Sequence, residues 1–293
     1  MKFLKIKSRI IVIFCALSIG VQSGPIRNIL QKHILQNNTE YGLKMIDVAY
    51  GKDKKQKFDV YLPDNPKDAP IIVMVHGGAW SIGDKSINRV VENKTARWLP
   101  KGVIFISINY RLLPNADPLK QADDVASALA YIQKYGTSWG GDTKKIILMG
   151  HSSGAHLVTL ISSDPTRYSI LKPWLGTISL DSAVMNVPQI MNEKHYDFYD
   201  KAFGTDKEYW EDSSPYHRLK NSAIPMLMVC STKRPDKPCV QAELFSIKAK
   251  MLKLRAEVSP QPLTHREINE NLGIENMYTK RVENFIRSLG VAL

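Results

Sequence analysis

Cysteine is scarce in this sequence, and long apolar runs, internal repeats and low-complexity tracts are missing from it. The lack of a fixed period excludes solenoids and disordered arrays. The apolar run at 10–21 has 12 residues, which is short for a helix that spans a bilayer. No group of histidine, cysteine and acidic residues has metal-ligand spacing, and no phosphate-cradling loop is present. We therefore expect neither a metal nor a cofactor.

The N-terminal residues have the pattern of a secretory signal peptide. Four basic residues precede residue 10, the apolar run follows, and the small residues Gly20 and Ser23 offer cleavage sites. We assign residues 1–23 to this signal and expect a secreted or periplasmic protein with no stable membrane span after cleavage. An uncleaved membrane anchor is the alternative interpretation.

Removal of that segment changes the charge balance. It holds four Lys/Arg and no Asp/Glu, so the formal net charge falls from +12 to +8. The densest basic stretch, 51–57, has the pattern of a solvated turn, and no aromatic residues alternate with the basic ones. We expect no nucleic-acid partner, and the sequence carries no signal for an oligomeric state.

Two of the three cysteines remain after cleavage, namely Cys230 and Cys239. An even number in an oxidising compartment permits one disulfide. Two free thiols are the alternative, but we favour the bridge.

Strand and helix patterns alternate along the rest of the chain, and no Pro/Gly-rich linker divides it. The predicted strands are 46–51, 57–63, 70–78, 103–110, 145–149, 175–180, 224–230 and 256–260. The predicted helices are 87–100, 117–135, one starting at Ser152, 240–254 and 275–289. This alternation predicts a single α/β domain over 40–293, with a mostly parallel central sheet and helices on both faces.

Residues 182–223 do not fit the alternation. They are rich in aromatic residues without a clear period and fall between two predicted strands. Because loops at the carboxyl end of a parallel sheet surround its binding site, this segment is a candidate for a small cap-like insertion. Packing of the aromatic residues onto the body of the domain is an equal alternative.

The candidate nucleophile is Ser152, in the G-x-S-x-G sequence Gly150-His151-Ser152-Ser153-Gly154. This short pattern also arises by chance, so its surroundings carry the prediction. A buried strand precedes it, a helix follows it, and small residues flank the serine. That is the setting of a nucleophile elbow, where a serine is exposed on a sharp strand-to-helix turn.

A second motif, "VMVHGGAW" at 73–80, resembles the HGGG-type loop of esterases and lipases. The resemblance implies that the backbone N–H groups of Gly78, Ala79 and Ser153 form an oxyanion hole, with Ala79 standing where the third glycine usually occurs. Trp80 is expected to line the mouth of the site as a substrate-binding residue, or else to pack the loop.

In α/β-hydrolases the order along the chain is nucleophile, acid, histidine. His265 is the histidine that follows the last predicted strand in a loop, so it is the candidate base. Asp236 is the one carboxylate in "STKRPDKPC", after the strand 224–230, and is the candidate acid. Asp181, at the end of the strand 175–180, is the alternative acid. A disulfide between Cys230 and Cys239 would constrain the loop that carries Asp236.

Together the motifs "HGGAW", "INYRLLP", "SWGGD", "GHSSGAH", "CSTKRPDKPC" and "LTHREINENLG" resemble the α/β-hydrolase carboxylesterases, over about residues 40–290. The chain is most similar to their secreted feruloyl/acetylxylan-esterase-like (BD-FAE-like) branch and more distantly to kynurenine formamidases. The acid loop lacks the glycine that usually precedes the aspartate. The resemblance implies the α/β-hydrolase fold and a serine esterase acting on small-acyl or aryl esters, with no cofactor. The alternatives are an amidase or formamidase with the same triad, and a non-catalytic binding protein.

Overall fold

Eight strands form one sheet, and its inner strands are runs of apolar residues. Residues 43–293 are described by a computed structural model of the protein, and the signal predicted for residues 1–23 lies outside them. The strands are β1 (Leu43–Ala49), β2 (Lys57–Leu62), β3 (Ala69–Val75), β4 (Ile104–Ile108), β5 (Gly141–His151), β6 (Gly176–Leu180), β7 (Met226–Ser231) and β8 (Ala256–Gln261). Their order is β1-β2-β4-β3-β5-β6-β7-β8. The pairs β1/β2 and β2/β4 are antiparallel and all the others are parallel, so the α/β prediction is confirmed.

Helices connect the parallel strands, as the apolar periodicity predicts. They are α1 (Asn88–Trp98), α2 (Pro118–Tyr135), α3 (Ser153–Ser163), α4 (Val187–Asn192), α5 (Asp197–Phe203), α6 (Lys207–Asp212), α7 (Pro215–Arg218), α8 (Pro238–Met251), α9 (His265–Glu270) and α10 (Met277–Ser288). The side chain of Asp117 caps α2 by accepting a hydrogen bond from the N–H of Lys120. Within residues 43–293, none of the helices is both long enough and apolar enough to cross a membrane.

The core lies on both faces of the sheet. On one face Ile72 belongs to a buried cluster that also contains Trp98 of α1 and Phe285 of α10. The neighbouring Ile71 points to the opposite face, because side chains alternate along a strand, and there it lies against Gly136 at the end of α2. Burial on both faces explains why β3 is a continuous apolar run in the sequence and why β4 is one except for Ser107.

The segment between β6 and β7 contains the four short helices α4 to α7, where the sequence predicts irregular structure. Three of them begin after a side chain that caps the helix, namely Asn186, Asp206 and Ser214. The aromatic residues Tyr199 and Phe203 of α5 are buried. The segment is therefore anchored to the body of the domain through its aromatic residues while it lies beside the carboxyl end of the sheet.

Candidate active site

Ser152 lies on a sharp turn between β5 and α3, as the G-x-S-x-G pattern predicts. Its φ of 57° and ψ of −121° place it in a strained left-handed conformation. A Cβ on Gly150 would approach the carbonyl oxygen of Gly154 to 2.3 Å, and one on Gly154 would approach the carbonyl oxygen of His76 to 2.4 Å. The two glycines are thus required because neighbouring backbone occupies the space of a side chain.

His265 lies against Ser152, with its Nε2 atom 3.0 Å from the serine Oγ. The sequence predicts a loop here, but His265 is the first residue of helix α9. A capping box fixes the start of that helix: Glu267 N–H donates to Thr264 Oγ1, and Thr264 N–H donates to the Glu267 carboxylate. The signal is present in the sequence as Thr-x-x-Glu and could have identified this helix.

The carboxylate that contacts His265 belongs to Asp181, at the end of β6. Its Oδ2 atom lies 2.6 Å from His265 Nδ1, and its Oδ1 accepts a hydrogen bond of 2.7 Å from the N–H of Ser231. Burial alone would raise the pKa of Asp181, but the hydrogen bond from His265 and the nearby charge of Arg234 bring that pKa below its ordinary value. Asp181 is therefore ionised at neutral pH although its side chain is fully buried.

The structure corrects the position expected for Asp236. Its carboxylate faces Arg234, whose Nε donates to Asp236 Oδ1 over 2.9 Å and whose Nη2 donates to the other oxygen. Arg234 in turn donates to Asp181, so the guanidinium separates the two carboxylates. Arg234, two residues before Asp236, is close enough to form an ion pair with it. The sequence motif does not indicate whether Asp236 would bind this arginine or His265.

His151, the residue before Ser152, is a neighbour of the base that sequence reasoning missed. Its ring centre is 4.5 Å from that of His265, and its Nε2–H donates to the His265 carbonyl oxygen over 2.9 Å. Burial lowers the pKa of His151 well below 6.5, and the adjacent His265 ring lowers it further. A neutral His151 therefore supports the base without competing with it for a proton.

The residues predicted to form the oxyanion hole are brought together with Ser152 in one cavity. Gly78, Ala79 and Ser153 line the same cavity as Ser152. The carbonyl oxygen of Gly78 accepts hydrogen bonds of 3.0 Å from two following N–H groups, which closes the loop into a tight turn. Ala79 has a φ of 48°, and Ser153 opens α3, where the N–H has no acceptor within the helix. Their N–H groups are candidates to bind a developing negative charge.

Trp80 is one of the residues that line the cavity, and its side chain also packs the loop. It is buried inside the wall of the cavity instead of standing at its mouth, with 2% of its surface exposed. Its indole N–H donates to His156 Nδ1 over 3.3 Å, and His156 Nε2–H donates to the carbonyl oxygen of Ser213. Burial lowers the pKa of His156 to about 4, so that ring is neutral and can accept the bond. This chain ties the glycine loop to the 182–223 segment.

A buried lysine supports the helix that begins with His265. Lys94 of α1 donates to the carbonyl oxygen and the side-chain oxygen of Asn269, near the end of α9, over 2.6 and 3.0 Å. It also lies 3.3 Å from the carbonyl oxygen of Arg89. Burial lowers the pKa of Lys94 to about 7. The ammonium group thus satisfies backbone and side-chain oxygens that would otherwise be buried without partners.

The cavity above Ser152 has a volume of about 580 Å³. One wall comes from the 182–223 segment and presents the aromatic rings of Tyr196, Phe198 and Tyr199. The lining also includes Ile87 and Val90, at the start of α1. This volume is within the range of pockets that hold small organic ligands. Among residues 43–293, no cluster of three or more His, Cys, Asp or Glu side chains has the geometry to hold a metal ion.

The sheet order, the turn at Ser152 and the position of His265 define an α/β-hydrolase fold, and solved structures agree. A truncated carbohydrate esterase from gut microbiota superposes with a TM-score of 0.74 and 18% identity, covering 87% of this chain and 99% of that structure. Esterase 2 of Thermogutta terrifontis gives a TM-score of 0.68 and 20% identity, covering 83% of this chain and 94% of that structure.

The family follows from the sequence comparison. The BD-FAE family model matches residues 58–249, and the chain belongs to this family. Esterase LipC of Mycobacterium tuberculosis is 28% identical over 217 residues, which are 68% of this chain and 53% of that protein. Kynurenine formamidase of Danio rerio is 29% identical over 151 residues, 50% of this chain and 48% of that protein. The chain spans about half the length of these two relatives.

Proposed function

We propose that the protein is a carboxylic ester hydrolase that forms an acyl-enzyme on Ser152. The observation that carries this proposal is the hydrogen-bonded series in which His265 lies 3.0 Å from Ser152 Oγ and 2.6 Å from the Asp181 carboxylate. A serine hydroxyl is a weak nucleophile unless a base accepts its proton, and a neutral imidazole oriented by a carboxylate is such a base.

The reaction proceeds in two halves. Ser152 Oγ attacks the ester carbonyl carbon while His265 Nε2 takes the hydroxyl proton, and the negative charge on the carbonyl oxygen faces the loop of Gly78 and Ala79. His265 then gives its proton to the alcohol oxygen as the C–O bond breaks, which leaves an acyl group on Ser152. Water, deprotonated by His265, attacks this acyl group. The bond between the acyl carbon and Ser152 Oγ then breaks, His265 returns the proton to Oγ, and the acid is released. Asp181 stabilises the imidazolium in both halves.

Small-acyl and aryl esters are the proposed substrates. A cavity of about 580 Å³ with an aromatic wall accommodates a short acyl chain or one aromatic ring next to Ser152. The similarity to esterase LipC and to a carbohydrate esterase supports an ester as the reacting group. A panel of esters of increasing acyl length, together with an acetyl and a feruloyl ester, measures the preference.

A formamidase with the same residues is the second candidate. The similarity to kynurenine formamidase and the three aromatic rings beside Ser152 favour it, since they suit a formylated aromatic amide. The value of kcat/KM for such an amide, divided by that for an aryl acetate, separates the two candidates. We expect the ester to be the better substrate, and a ratio above one would favour the formamidase.

The decisive variant is Ser152→Ala, assayed on a short-chain aryl ester. We expect turnover to fall by at least about 10³-fold, because no other hydroxyl takes the place of the nucleophile. Ser138→Ala is the matched control, since Ser138 is an exposed serine whose hydroxyl contacts only the carbonyl oxygen of Tyr135. Full activity in the Ser152→Ala variant would exclude the proposal, whereas absence of turnover in the wild type would leave a non-catalytic binding role for the cavity.

A compartment outside the cytoplasm is proposed as well. The disulfide between Cys230 and Cys239 supports it, because such bonds persist mainly in oxidising environments. The predicted signal at 1–23 points the same way. N-terminal sequencing of the protein recovered from its source tests the signal, and an N-terminus that begins after Ser23 is the expected result.

A further inference from the structure

The arginine between Asp181 and Asp236 has no part in the proton transfers described above, yet it contacts both the acid and the base. One of its nitrogens, Nη1, lies 3.0 Å from Asp181 Oδ2, 2.9 Å from the Asp181 carbonyl oxygen and 2.9 Å from His265 Nδ1. The guanidinium and the imidazole therefore direct their N–H groups at the same carboxylate oxygen. The other two guanidinium nitrogens bind Asp236.

We propose that Arg234, held by Asp236, is a positioning residue that fixes the Asp181 carboxylate against His265 during the proposed ester hydrolysis. We call the three residues Asp181, Arg234 and Asp236 the arginine bridge. The inference rests on the proposed function, because positioning is defined by the reaction that it supports.

The orientation of Asp181 depends on its contacts with Arg234. This residue has a φ of 60°, a left-handed conformation that needs support from its surroundings. One nitrogen of Arg234 binds both its carbonyl oxygen and its carboxylate, and the N–H of Ser231 binds the remaining carboxylate oxygen. These contacts restrain the backbone and the side chain together. Loss of the guanidinium would leave the carboxylate free to rotate away from His265.

The charge of the Asp181 carboxylate also depends on Arg234. The Asp181 side chain is fully buried, and a buried carboxylate is costly unless charged or polar groups surround it. Arg234 supplies a permanent positive charge whether or not His265 is protonated, so the carboxylate stays ionised at each stage of the cycle. The burial of Arg234, 15% exposed, strengthens this interaction.

Asp236 in turn fixes the orientation of Arg234. The planar guanidinium of Arg234 faces both carboxylate oxygens of Asp236, a two-point geometry that fixes the plane of the fork. Without that partner the side chain would be free to turn into the cavity, which it lines. The disulfide from Cys230 to Cys239 closes the loop that contains both residues and limits its movement.

The groups that face the base come from several elements. His151 stacks on His265 from the end of β5, Asp181 approaches from β6, and Arg234 with Asp236 approaches from the loop after β7. Lys94 of α1 and Tyr278 of α10 are farther members of the same electrostatic environment. Among them, only the arginine bridge places a cation within hydrogen-bonding distance of the His265–Asp181 pair in residues 43–293.

The test compares Arg234→Ala, Arg234→Lys and Asp236→Ala on a short-chain aryl ester. We expect kcat to fall by about 10²-fold in Arg234→Ala, with KM changed by less than about threefold, because the reacting groups are misplaced while the cavity remains. Arg234→Lys keeps the charge and should recover part of kcat, and Asp236→Ala should give a smaller loss than Arg234→Ala. A raised KM with unchanged kcat would overturn the proposal and make Arg234 a substrate-binding residue.

Two further measurements separate positioning from a general loss of structure. In Arg234→Ala the acid limb of the kcat/KM profile should move to higher pH, since an imidazolium no longer has a guanidinium beside it. In an Asp181→Asn background, Arg234→Ala should have almost no further effect, because its action runs through Asp181. Full multiplication of the two losses, or an unmoved acid limb, would refute the proposal. If Arg234→Ala fails to fold, Asp236→Ala takes its place in the double-variant comparison, and it should add almost nothing to the loss in Asp181→Asn.

The experiments distinguish a failure of the proposed hydrolysis from a failure of the positioning role proposed for the arginine bridge. If turnover depends on Ser152 but the Arg234→Ala variant keeps the full kcat, only the positioning role of Arg234 would be excluded. A protein without Ser152-dependent turnover would remove the proposed function, and the bridge with it.

Discussion

The Asp181 carboxylate lies 2.6 Å from Nδ1 of His265, although the two residues are 84 positions apart in the sequence. The sheet brings about this contact: β6, which ends just before Asp181, pairs in parallel with β5, which ends just before Ser152. The register places Leu180 beside His151, so the acid and the nucleophile leave neighbouring strands at the same edge. Asp181, and not Asp236, contacts His265 because it follows β6, the strand that pairs with β5 just before Ser152.

The first prediction separates the two carboxylates. Asp181→Asn should lower kcat by about 10³–10⁴-fold, because an amide neither selects the required tautomer of His265 nor stabilises the imidazolium. Asp236→Asn should cost about tenfold or less, since it acts through Arg234 and keeps one oxygen to accept a hydrogen bond. Steady-state kinetics on an aryl acetate measures both. A larger loss in Asp236→Asn than in Asp181→Asn would reverse the assignment.

The second prediction concerns the glycine loop. Gly78 has a φ of 137°, and a Cβ there would lie 2.0 Å from the carbonyl oxygen of Ile82. Gly78→Ala should displace the loop and lower kcat by about 10²–10³-fold, the usual cost of losing one oxyanion donor.

Ala79→Gly is the matched control for this loop. It keeps the N–H group, and glycine adopts the φ of 48° at that position without strain. We expect kcat within about fivefold of the wild type and an unchanged unfolding midpoint for this variant. Equal losses in both variants would mean that the loop responds to any substitution and would not support its role as an oxyanion hole.

Most of the sheet could be predicted because buried parallel strands are read from continuous apolar runs. The predicted helix at 117–135 begins with the observed cap at Asp117, where one side chain decides the boundary. The short helices α4 to α7 were not predicted, because 4 to 7 residues show no helical period. Their capping residues were visible but carry little weight without an apolar pattern beside them.

The positions of Ser152 and His265 were predictable for a similar reason: both depend on local pattern and chain order. Ser152 has a motif with steric requirements on either side, and His265 is the one histidine after the last strand. The acid depended on long-range geometry. The sequence does not indicate that Arg234 would bind Asp236 and Asp181 together, or that His151 would stack on His265. The contacts of Arg234 with Asp181 and of His151 with His265 arise only when separate strand ends meet.

The third prediction concerns the disulfide. Replacement of both Cys230 and Cys239 by alanine should lower the free energy of unfolding by about 2–3 kcal/mol, as expected for a closed loop with a separation of 9 residues. Denaturation in urea measures it, and the wild type under reducing conditions should show the same loss. The loop also carries Arg234 and Asp236 of the arginine bridge, so kcat should fall as well. Identical unfolding of variant and wild type would show that the bond does not constrain the unfolded chain.

The fourth prediction uses the buried lysine. The pKa of Lys94 is about 7 in the folded protein and 10.5 ordinarily, so between these values the unfolded chain binds more protons than the folded one. Stability contributed by this group therefore rises with pH across that window, by at most about 1.4 kcal/mol per pH unit. The free energy of unfolding of the wild type, relative to Lys94→Met, should increase from pH 7 to pH 9.5.

Lys120→Met is the control for this comparison, because the Lys120 side chain is 60% exposed. Its difference from the wild type should stay nearly constant over the same range of pH. If the difference in free energy of unfolding between the wild type and Lys94→Met were also constant over this pH range, the lowering of the Lys94 pKa by burial would be contradicted.

The most direct test of the proposed chemistry is the site at which a phosphonate ester labels the protein. After reaction with a fluorophosphonate and digestion, mass spectrometry should find the adduct on the peptide that contains Gly150-His151-Ser152-Ser153-Gly154, at Ser152. The variant Ser152→Ala should remain unlabelled, and Asp181→Asn should be labelled much more slowly than the wild type. Labelling of another residue, or equal labelling of Ser152→Ala, would contradict an activated nucleophile at Ser152.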